Sequence, residues 1–496
     1  MIKTYKIKFS KNIIGLFLGP LLFLILFILP PPDGMSLEAR AVLAVTLWVA
    51  VWWITEAVPI PVTSLLPIIL FPVTNALDLQ TTTEAYGNPI VFLFLGGFII
   101  ALAMEKWNLH KRIAINIVKA IGTNQKNIIM GFMVATAFLS MWISNSATAM
   151  MMLPIGVAII MQLSAVQEQE DSFFKGNFGK ALMLAIAYSA SIGGLATLVG
   201  TPTNAVLAAI VKQLYNVEIS FAQWLYMAFP LVLLLLFFCW YYLVNFAFPL
   251  KNTQDKQGQE ELDRQLKSLG KISWEEKCVM AVFILTAFLW ITRSFILDQI
   301  FTGLDDSIIA IFGAVILFII PARQESFILD WQVSKELPWG ILLLFGGGLA
   351  IASGFKFSGL AEWIGIQMSL IKGVELIIVL ALLVTVINFL TEITSNVATA
   401  TMMLPILASL AVAIEVHPFG PMVAAGLAAS CAFMLPVATP PNAVVFGSGY
   451  IKMIDMVKAG FWLNIMSIIL ITLYVYYFLP VVWEIDLKAL PDFLTR

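Results

Sequence analysis

Two pairs of polar motifs lie inside long apolar stretches of this chain. Residues 144–155 read SNSATAMMMLPI and residues 395–406 read SNVATATMMLPI, so ten of twelve positions agree. Residues 200–206 (GTPTNAV) and 438–444 (ATPPNAV) agree at five of seven positions. Hydroxyl, amide and carbonyl oxygens suit hard cations such as alkali ions, whereas helix N-termini and N–H groups suit anions. The motifs therefore predict a site that takes alkali cations and an anion together.

Each SN motif is expected to form the tip of a re-entrant helical hairpin. Residues 140–146 and 391–397 place hydroxyl and amide groups in the middle of apolar stretches. In hydrocarbon, such groups and any interrupted backbone need partners within the protein. A hairpin whose tip stops short of the far side would supply them, and Pro154 and Pro405 mark the returning arms.

The two proline motifs predict a pair of interrupted helices. Proline lacks an N–H donor and disfavours helical backbone at the preceding residue, so Pro202 and Pro440 should each unwind the middle of a long helix. Unwinding frees carbonyl oxygens and exposes a helix N-terminus. Hydroxyl and small residues in membrane helices often serve only to let helices approach, and one SN motif alone fits that explanation. The recurrence of tip and interruption in the same order favours a binding site.

The composition indicates an all-α polytopic membrane protein. Of the 496 residues, 60% are hydrophobic and 12% are charged, against roughly 45–50% and about 25% in soluble domains. Such a chain could not cover its surface with polar groups, which excludes an ordinary cytosolic enzyme, a disordered protein and a secreted disulfide scaffold. The net charge of −2 offers no basic excess for nucleic acid.

The chain carries an internal duplication. Besides the two motif pairs, residues 96–97 match 346–347 and residues 53–55 match 290–292, at offsets between 237 and 251. Each repeat is expected to hold five full spans plus a hairpin, and an odd number of spans inverts the second copy. Inverted repeats with interrupted helices are typical of secondary transporters, with the site at the repeat interface. We predict about eleven transmembrane helices, arranged as one, then five and five.

Basic residues predict how the chain is oriented in the membrane. They occur in the first eleven residues and again in the polar stretch 251–277. The positive-inside rule assigns both segments to the cytoplasm, whereas the balance of charges after residue 482 favours the outside for the C-terminus. We expect a multi-pass protein of the cell membrane, the inner membrane in a bacterium.

The chain shows no sign of an enzyme. It has no P-loop, GxSxG or HExxH motif, and neither of its two histidines lies near an SN motif. Glu56, Glu105 and Glu392 border apolar segments. We expect Glu56 and Glu105 at the ends of spans, whereas the sequence leaves open whether Glu392 tunes the second tip.

These motifs, together with residues 435–446 (LPVATPPNAVVF), resemble the divalent anion/sodium symporter (DASS) family over nearly the whole chain. The resemblance implies a homodimer in the lipid bilayer, in which a static scaffold carries an elevator-like transport domain in each protomer. It implies Na⁺ as the co-transported ion and a small dicarboxylate anion as the other partner.

The resemblance also implies which residues form the sites. One sodium ion would be held by Ser140, Ser144, Asn145 and the Gly200 carbonyl, although the loop length leaves Gly193 as an alternative to Gly200. The other sodium ion would be held by Thr391, Ser395, Asn396 and the Ala438 carbonyl. The anion would be bound by Ser144, Asn145, Ser146, Thr201, Pro202, Ser395, Asn396, Val397, Thr439 and Pro440.

On the same basis the chain is divided into six parts. These are the first span and scaffold helices of repeat 1 (1–127), its hairpin and transport-domain helices (128–250), a cytoplasmic linker (251–276), the scaffold helices of repeat 2 (277–373), its hairpin and transport-domain helices (374–482) and a C-terminal tail (483–496).

Two departures from the family pattern bear on the cargo. The common motif is Ser-Asn-Thr, but this chain has Ser146 in the first copy and Val397 in the second. The expected function is Na⁺-coupled symport of C4-dicarboxylates such as succinate, malate and fumarate. A dicarboxylate exchanger and a sodium/sulfate symporter of the same fold remain alternatives, as does citrate for the anion, and the sodium stoichiometry is open.

Overall fold

The computed structural model describes residues 11–122, 124–166, 172–250, 256–301, 303–323, 326–368 and 373–495. None of these described residues lies in a β-strand, and the predicted all-α class is confirmed. The helices, numbered in chain order, are α1 Lys11–Ile28, α2 Leu37–Thr55, α3 Ile60–Thr63, α4 Leu66–Val73, α5 Leu79–Glu84, α6 Pro89–Lys106, α7 Leu109–Ile121, α8 Gln125–Ser140, α9 Asn145–Val166, α10 Ser172–Gly194, α11 Pro202–Tyr215, α12 Phe221–Tyr242, α13 Lys256–Ser268, α14 Trp274–Arg293, α15 Asp306–Ile319, α16 Trp339–Phe357, α17 Leu360–Met368, α18 Leu376–Thr391, α19 Asn396–Ala413, α20 Phe419–Ala428, α21 Pro440–Phe446, α22 Met453–Tyr477, α23 Leu479–Trp483 and α24 Asp492–Thr495.

Many of these helices have the length and composition of membrane segments. Among the described residues, seven helical stretches are long and apolar enough to cross a bilayer, and five shorter apolar ones have 10–17 residues. The seven are Leu37–Thr55, Leu79–Lys106, Asn145–Gln162, Phe221–Ala247, Trp339–Phe357, Asn396–Ala413 and Met453–Trp483. They fit the predicted polytopic membrane protein, whereas the number of eleven spans and the inversion of the repeats stay predictions.

The polar motifs divide the four longest apolar stretches. Residues 141–144 separate α8 from α9, and residues 392–395 separate α18 from α19. Residues 195–201 interrupt the helix formed by α10 and α11, and residues 429–439 interrupt the one formed by α20 and α21. We call the first two segments tip 1 and tip 2, and the other two interruption 1 and interruption 2. All four lie at the motifs that the sequence singled out.

Two helices begin three residues before the predicted boundaries at 128 and 277. The Asn124 side chain accepts a hydrogen bond from Asn127 N at 2.8 Å and starts α8 at Gln125. Ser273 and Glu276 form a capping box that starts α14 at Trp274. Polar N-caps thus add a turn that hydrophobicity alone does not indicate.

The two interrupted helices lie side by side. α10 packs against α21 and α11 packs against α20, so each half contacts the opposite half of the other helix. Thr203 Oγ1 and Ser430 Oγ form a buried hydrogen bond of 2.6 Å between them. The returning arms of the hairpins also contact the opposite repeat, since α9 contacts α21 and α19 contacts α11. Each hairpin thus packs against the interrupted helix of the other repeat.

Candidate cation and anion site

Tip 1 brings an asparagine amide and a backbone carbonyl oxygen to a buried serine. Ser140 ends α8 and is fully buried. Its Oγ lies 2.6 Å from Asn145 Oδ1 and 2.7 Å from the carbonyl oxygen of Ala190 in α10. The tip therefore closes onto the helix that leads into interruption 1.

Tip 2 repeats this arrangement with a threonine. Thr391 Oγ1 lies 2.7 Å from Asn396 Oδ1 and 2.9 Å from the carbonyl oxygen of Ala429, at the start of interruption 2. Thr391 is also fully buried. The predicted cation ligands of the two motifs thus make the same pair of contacts.

Tip 2 has more acceptors than hydrogens. A hydroxyl group has one hydrogen to donate, and carbonyl and amide oxygens have none. At tip 1 the surroundings of Asn145 favour its amide nitrogen toward Ser140, which supplies hydrogens to the neighbouring oxygens. At tip 2 Thr391 faces two acceptor oxygens, so one of its two contacts is without a proton. A small hard cation compensates such an excess of oxygen lone pairs.

Asn145 connects tip 1 directly to interruption 1. The amide atom nearest Ser140 also lies 3.2 Å from the carbonyl oxygens of both Ala190 and Gly200. With the amide nitrogen in this place, which its surroundings favour, its two hydrogens are shared among the three oxygens. With the amide oxygen there, four oxygens converge, as in the coordination shell of a cation.

Gly200 rather than Gly193 faces the tip. The Gly200 carbonyl is the one close to Asn145, whereas Gly193 packs against the backbone of Ala137, where an added Cβ would come within 2.4 Å. In the second repeat, Ala438 is buried, and its N–H donates to Leu435 O within interruption 2 at 3.2 Å.

The residues predicted to bind the anion differ in exposure. The tip residues are half-buried and line an accessible surface: Ser144, Asn145, Ser146, Ser395, Asn396 and Val397. Pro202 is half-buried and Pro440 is exposed. Thr201 and Thr439 are 3% and 4% exposed, so their side chains do not lie on that surface. Thr439 Oγ1 instead caps α21 by accepting from Asn442 N at 3.3 Å.

Two asparagines outside the predicted site hold the interruptions in shape. Asn204 Nδ2 donates to the carbonyl oxygens of residues 194, 195 and 197, at 2.8–3.2 Å. Asn442 Nδ2 donates to those of residues 432 and 435, at 3.2 and 3.0 Å. Both belong to the repeated proline motifs, which was the signal that could have identified them.

The three carboxylates take different places. Glu56 directly follows α2 and Glu105 lies one residue before the end of α6, as expected for the ends of spans. Glu392, in tip 2, is 3% exposed, and its side chain points toward interruption 2, where it accepts backbone hydrogen bonds.

Gly194 leaves no room for a side chain beside tip 1, which gives a testable prediction. An added Cβ would lie 2.5 Å from Asn145 Oδ1 and 3.1 Å from Gly200 O. We expect Gly194→Ala to lower Na⁺-dependent uptake at least tenfold by displacing the Asn145 amide. Gly176→Ala in the same helix is the control, because nothing lies within 4 Å of its added Cβ. Equal activity of both variants at equal expression would contradict the assigned role of Asn145.

Comparison with known families gives a match over nearly the whole chain. A family model described as the sodium:sulfate symporter transmembrane region matches residues 10–484. The matched segment includes both tips and both interruptions.

Curated relatives are similar over almost their full lengths. A sodium-dependent dicarboxylate transporter SdcS of Staphylococcus saprophyticus is 50% identical over 492 residues, covering 98% of this chain and 94% of the relative. A transporter of the same name from Staphylococcus aureus is 49% identical over 504 residues, covering 98% and 96%.

Solved structures with low sequence identity share the fold. The Neisseria gonorrhoeae MtrF structure, described with a class of antimetabolite efflux pumps, has a TM-score of 0.60 at 13% identity and covers 93% of this chain and 95% of its own. The Alcanivorax borkumensis YdaH transporter has a TM-score of 0.57 at 11% identity, with 82% and 88% covered. At such identities the likeness concerns the fold alone.

Proposed function

This chain belongs to the sodium:sulfate symporter family, and from this premise we propose that it couples the uptake of C4-dicarboxylates such as succinate, malate and fumarate to Na⁺. It is a multi-pass membrane transporter and not an enzyme. The dicarboxylate cargo is supported by the names of its two staphylococcal relatives.

The observation that carries this proposal is the matching pair of oxygen clusters at the tips. Each cluster joins a buried hydroxyl, an asparagine amide group and a backbone carbonyl oxygen. Na⁺ prefers oxygen ligands of this kind. We assign one ion to each cluster, with ligands from Ser140, Ser144, Asn145 and Gly200 in the first and Thr391, Ser395, Asn396 and Ala438 in the second.

The anion is assigned to the accessible side of the tips. α9 and α19 begin at Asn145 and Asn396, so the N–H groups of two helix N-termini, which have no acceptor within their own helices, lie at the motifs. Such termini favour carboxylates. A dicarboxylate would place one carboxylate on each tip, beside the half-buried hydroxyls of Ser144, Ser146 and Ser395.

Charge compensation explains why cations accompany the anion. A bare dianion is very costly to transfer into a low-dielectric medium, whereas bound Na⁺ offsets its charge. Three Na⁺ per dianion would move one net positive charge, and a potential of ~100 mV then contributes about 2.3 kcal/mol per cycle.

Movement is assigned to the hairpins and interrupted helices as one unit. We take α8–α12 and α18–α22 as the transport domain and α1–α7 with α14–α17 as the scaffold, in an elevator mechanism within a homodimer. The support is that hairpins and interrupted helices contact one another across the repeats, α9 with α21 and α19 with α11.

We assign the linker to the cytoplasm and the C-terminus to the outside. These segments lie at opposite ends of α12. Lys119 pairs with Asp263 of the linker at 2.6 Å, near the end where Lys126 contacts Asn245. Trp483, at the start of the tail, donates to Gln223 O at the other end of the helix. Of the basic residues on which the prediction rests, Lys3, Lys6, Lys8 and Lys251 lie outside the described residues.

A sulfate symporter is the second candidate, and the description of the family model favours it. Competition distinguishes the two cargoes. Radiolabelled succinate uptake into proteoliposomes is measured with excess unlabelled succinate, malate, fumarate, sulfate or citrate. We expect the C4-dicarboxylates to abolish the signal and sulfate to leave most of it. Strong inhibition by sulfate with weak inhibition by malate and fumarate would overturn the dicarboxylate assignment.

A further inference from the structure

Tip 2 contains a buried acidic side chain, that of Glu392. Glu392 Oε1 accepts hydrogen bonds from Phe433 N at 2.7 Å, Met434 N at 2.9 Å and Asn464 Nδ2 at 2.7 Å. Its Oε2 accepts from Leu435 N at 3.0 Å. Three consecutive backbone N–H groups of interruption 2 and one side chain of α22 thus converge on a single group from the hairpin.

These contacts make Glu392 an acceptor on both of its oxygen atoms. All four described partners are donors. Because three of them are consecutive backbone N–H groups, Glu392 fixes residues 433–435 against tip 2.

The first repeat connects its tip and interruption with neutral groups. Met141 takes the position of Glu392, one residue after the cation-facing hydroxyl. Its backbone carbonyl accepts from Thr197 Oγ1, which in turn accepts from Gly200 N at 3.0 Å. Trp224 contributes a bond to Leu195 O at 3.0 Å, from the helix that corresponds to that of Asn464.

The asymmetry has a direct consequence at tip 2. Glu392 follows Thr391 in the chain, and Asn442 ties the same interruption by donating to Leu435 O at 3.0 Å. Loss of the carboxylate would leave three buried N–H groups without their acceptor and would release residues 433–435.

We propose that Glu392 is a positioning residue for the second sodium ion, so that this ion depends on a buried carboxylate and the first does not. The inference rests on the proposed function and deepens it. Glu392 acts through the backbone of interruption 2, the segment that also contains the predicted Ala438 ligand.

The test is Glu392→Gln, with Glu105→Gln as the matched control in the scaffold. Two quantities are measured: the Na⁺ concentration for half-maximal succinate uptake, and the thermal stabilisation of purified protein by Na⁺ without succinate. We expect the half-saturating Na⁺ concentration of Glu392→Gln to rise at least fivefold, with the maximal rate within threefold of wild type and a reduced Na⁺-induced thermal shift. Glu392→Asp should recover part of the loss, and Glu105→Gln should match wild type.

If Glu392→Gln does not fold, Asn464→Ala provides the test. It removes one of the four donors and leaves the carboxylate in place, so we expect a smaller rise in half-saturating Na⁺. Unchanged Na⁺ dependence in the variants that fold, or a loss confined to the maximal rate, would overturn the positioning role. Wild-type protein without any Na⁺ dependence would instead overturn the proposed function, so the two failures are distinguishable.

Discussion

Asn145→Ala is expected to reduce Na⁺-coupled succinate uptake by about a hundredfold or more. The amide atom at tip 1 lies 2.6 Å from Ser140 Oγ and 3.2 Å from the carbonyl oxygens of Ala190 and Gly200. Through this atom the hairpin contacts both α10 and interruption 1. A hydrogen bond to a charged group contributes about 1.5–3 kcal/mol, and loss of the amide's one contact with a bound cation, at the upper end of this range, corresponds to about a hundredfold.

Uptake into proteoliposomes at saturating Na⁺, normalised to reconstituted protein, measures this effect. Asn177→Ala serves as the control, because Asn177 lies on the same helix α10 and its amide contacts Pro249 O at 3.4 Å, away from the tip. We expect the control to retain most of the wild-type rate. If Asn145→Ala transports within threefold of the control, tip 1 is not a cation site.

Thr391→Val is expected to have the second largest effect, a rise of at least tenfold in the half-saturating Na⁺ concentration. Valine has nearly the shape of threonine but lacks the hydroxyl. The change leaves Asn396 Oδ1 and Ala429 O without their shared partner, which lies 2.7 and 2.9 Å away. The cation would lose one ligand while the packing of the buried tip is kept.

Thr385→Val separates this effect from a general loss of hydroxyl groups. Thr385 lies on the same helix α18, and its hydroxyl bonds to Ala381 O of its own helix at 2.7 Å. We expect the Na⁺ activation curve of this control to match wild type. Superimposable curves for Thr391→Val and wild type would remove Thr391 from the list of ligands.

Much of the site could be predicted because the sequence contains it twice. A single SN motif or a single proline motif is common in membrane helices, but their ordered recurrence predicted both tips and both interruptions. In each copy the hydroxyl residue and the asparagine that it contacts are five residues apart, Ser140 with Asn145 and Thr391 with Asn396. This local spacing is the same in both repeats.

The role of Glu392 could not be predicted in the same way. Its partners are 41 to 72 residues away in the chain, and the first repeat has Met141 in its place, so the duplication gave no guide. Thr197 is likewise without a hydroxyl counterpart, because Leu435 stands at the corresponding place. Such contacts depend on how the interruptions unwind, and hydrophobic patterns do not encode that.

The burial of Thr201 and Thr439 could also not be predicted from the sequence. The family resemblance implies that they bind the anion, but both are buried. The hydroxyl of Thr439 satisfies an N–H group at the start of α21, as threonine commonly does at an N-cap. A residue that follows an unwound segment can thus serve the helix rather than the ligand.

The most direct test of the central claim is radiolabelled succinate uptake into proteoliposomes, with an inward Na⁺ gradient or with K⁺ in its place. Two occupied tips and electrogenic symport require uptake that depends on Na⁺ and increases with an inside-negative potential. Uptake that occurs only when the lumen is preloaded with dicarboxylate, regardless of Na⁺, would contradict this account. The protein would then be an exchanger, and the oxygen clusters at Ser140 and Thr391 would be structural features.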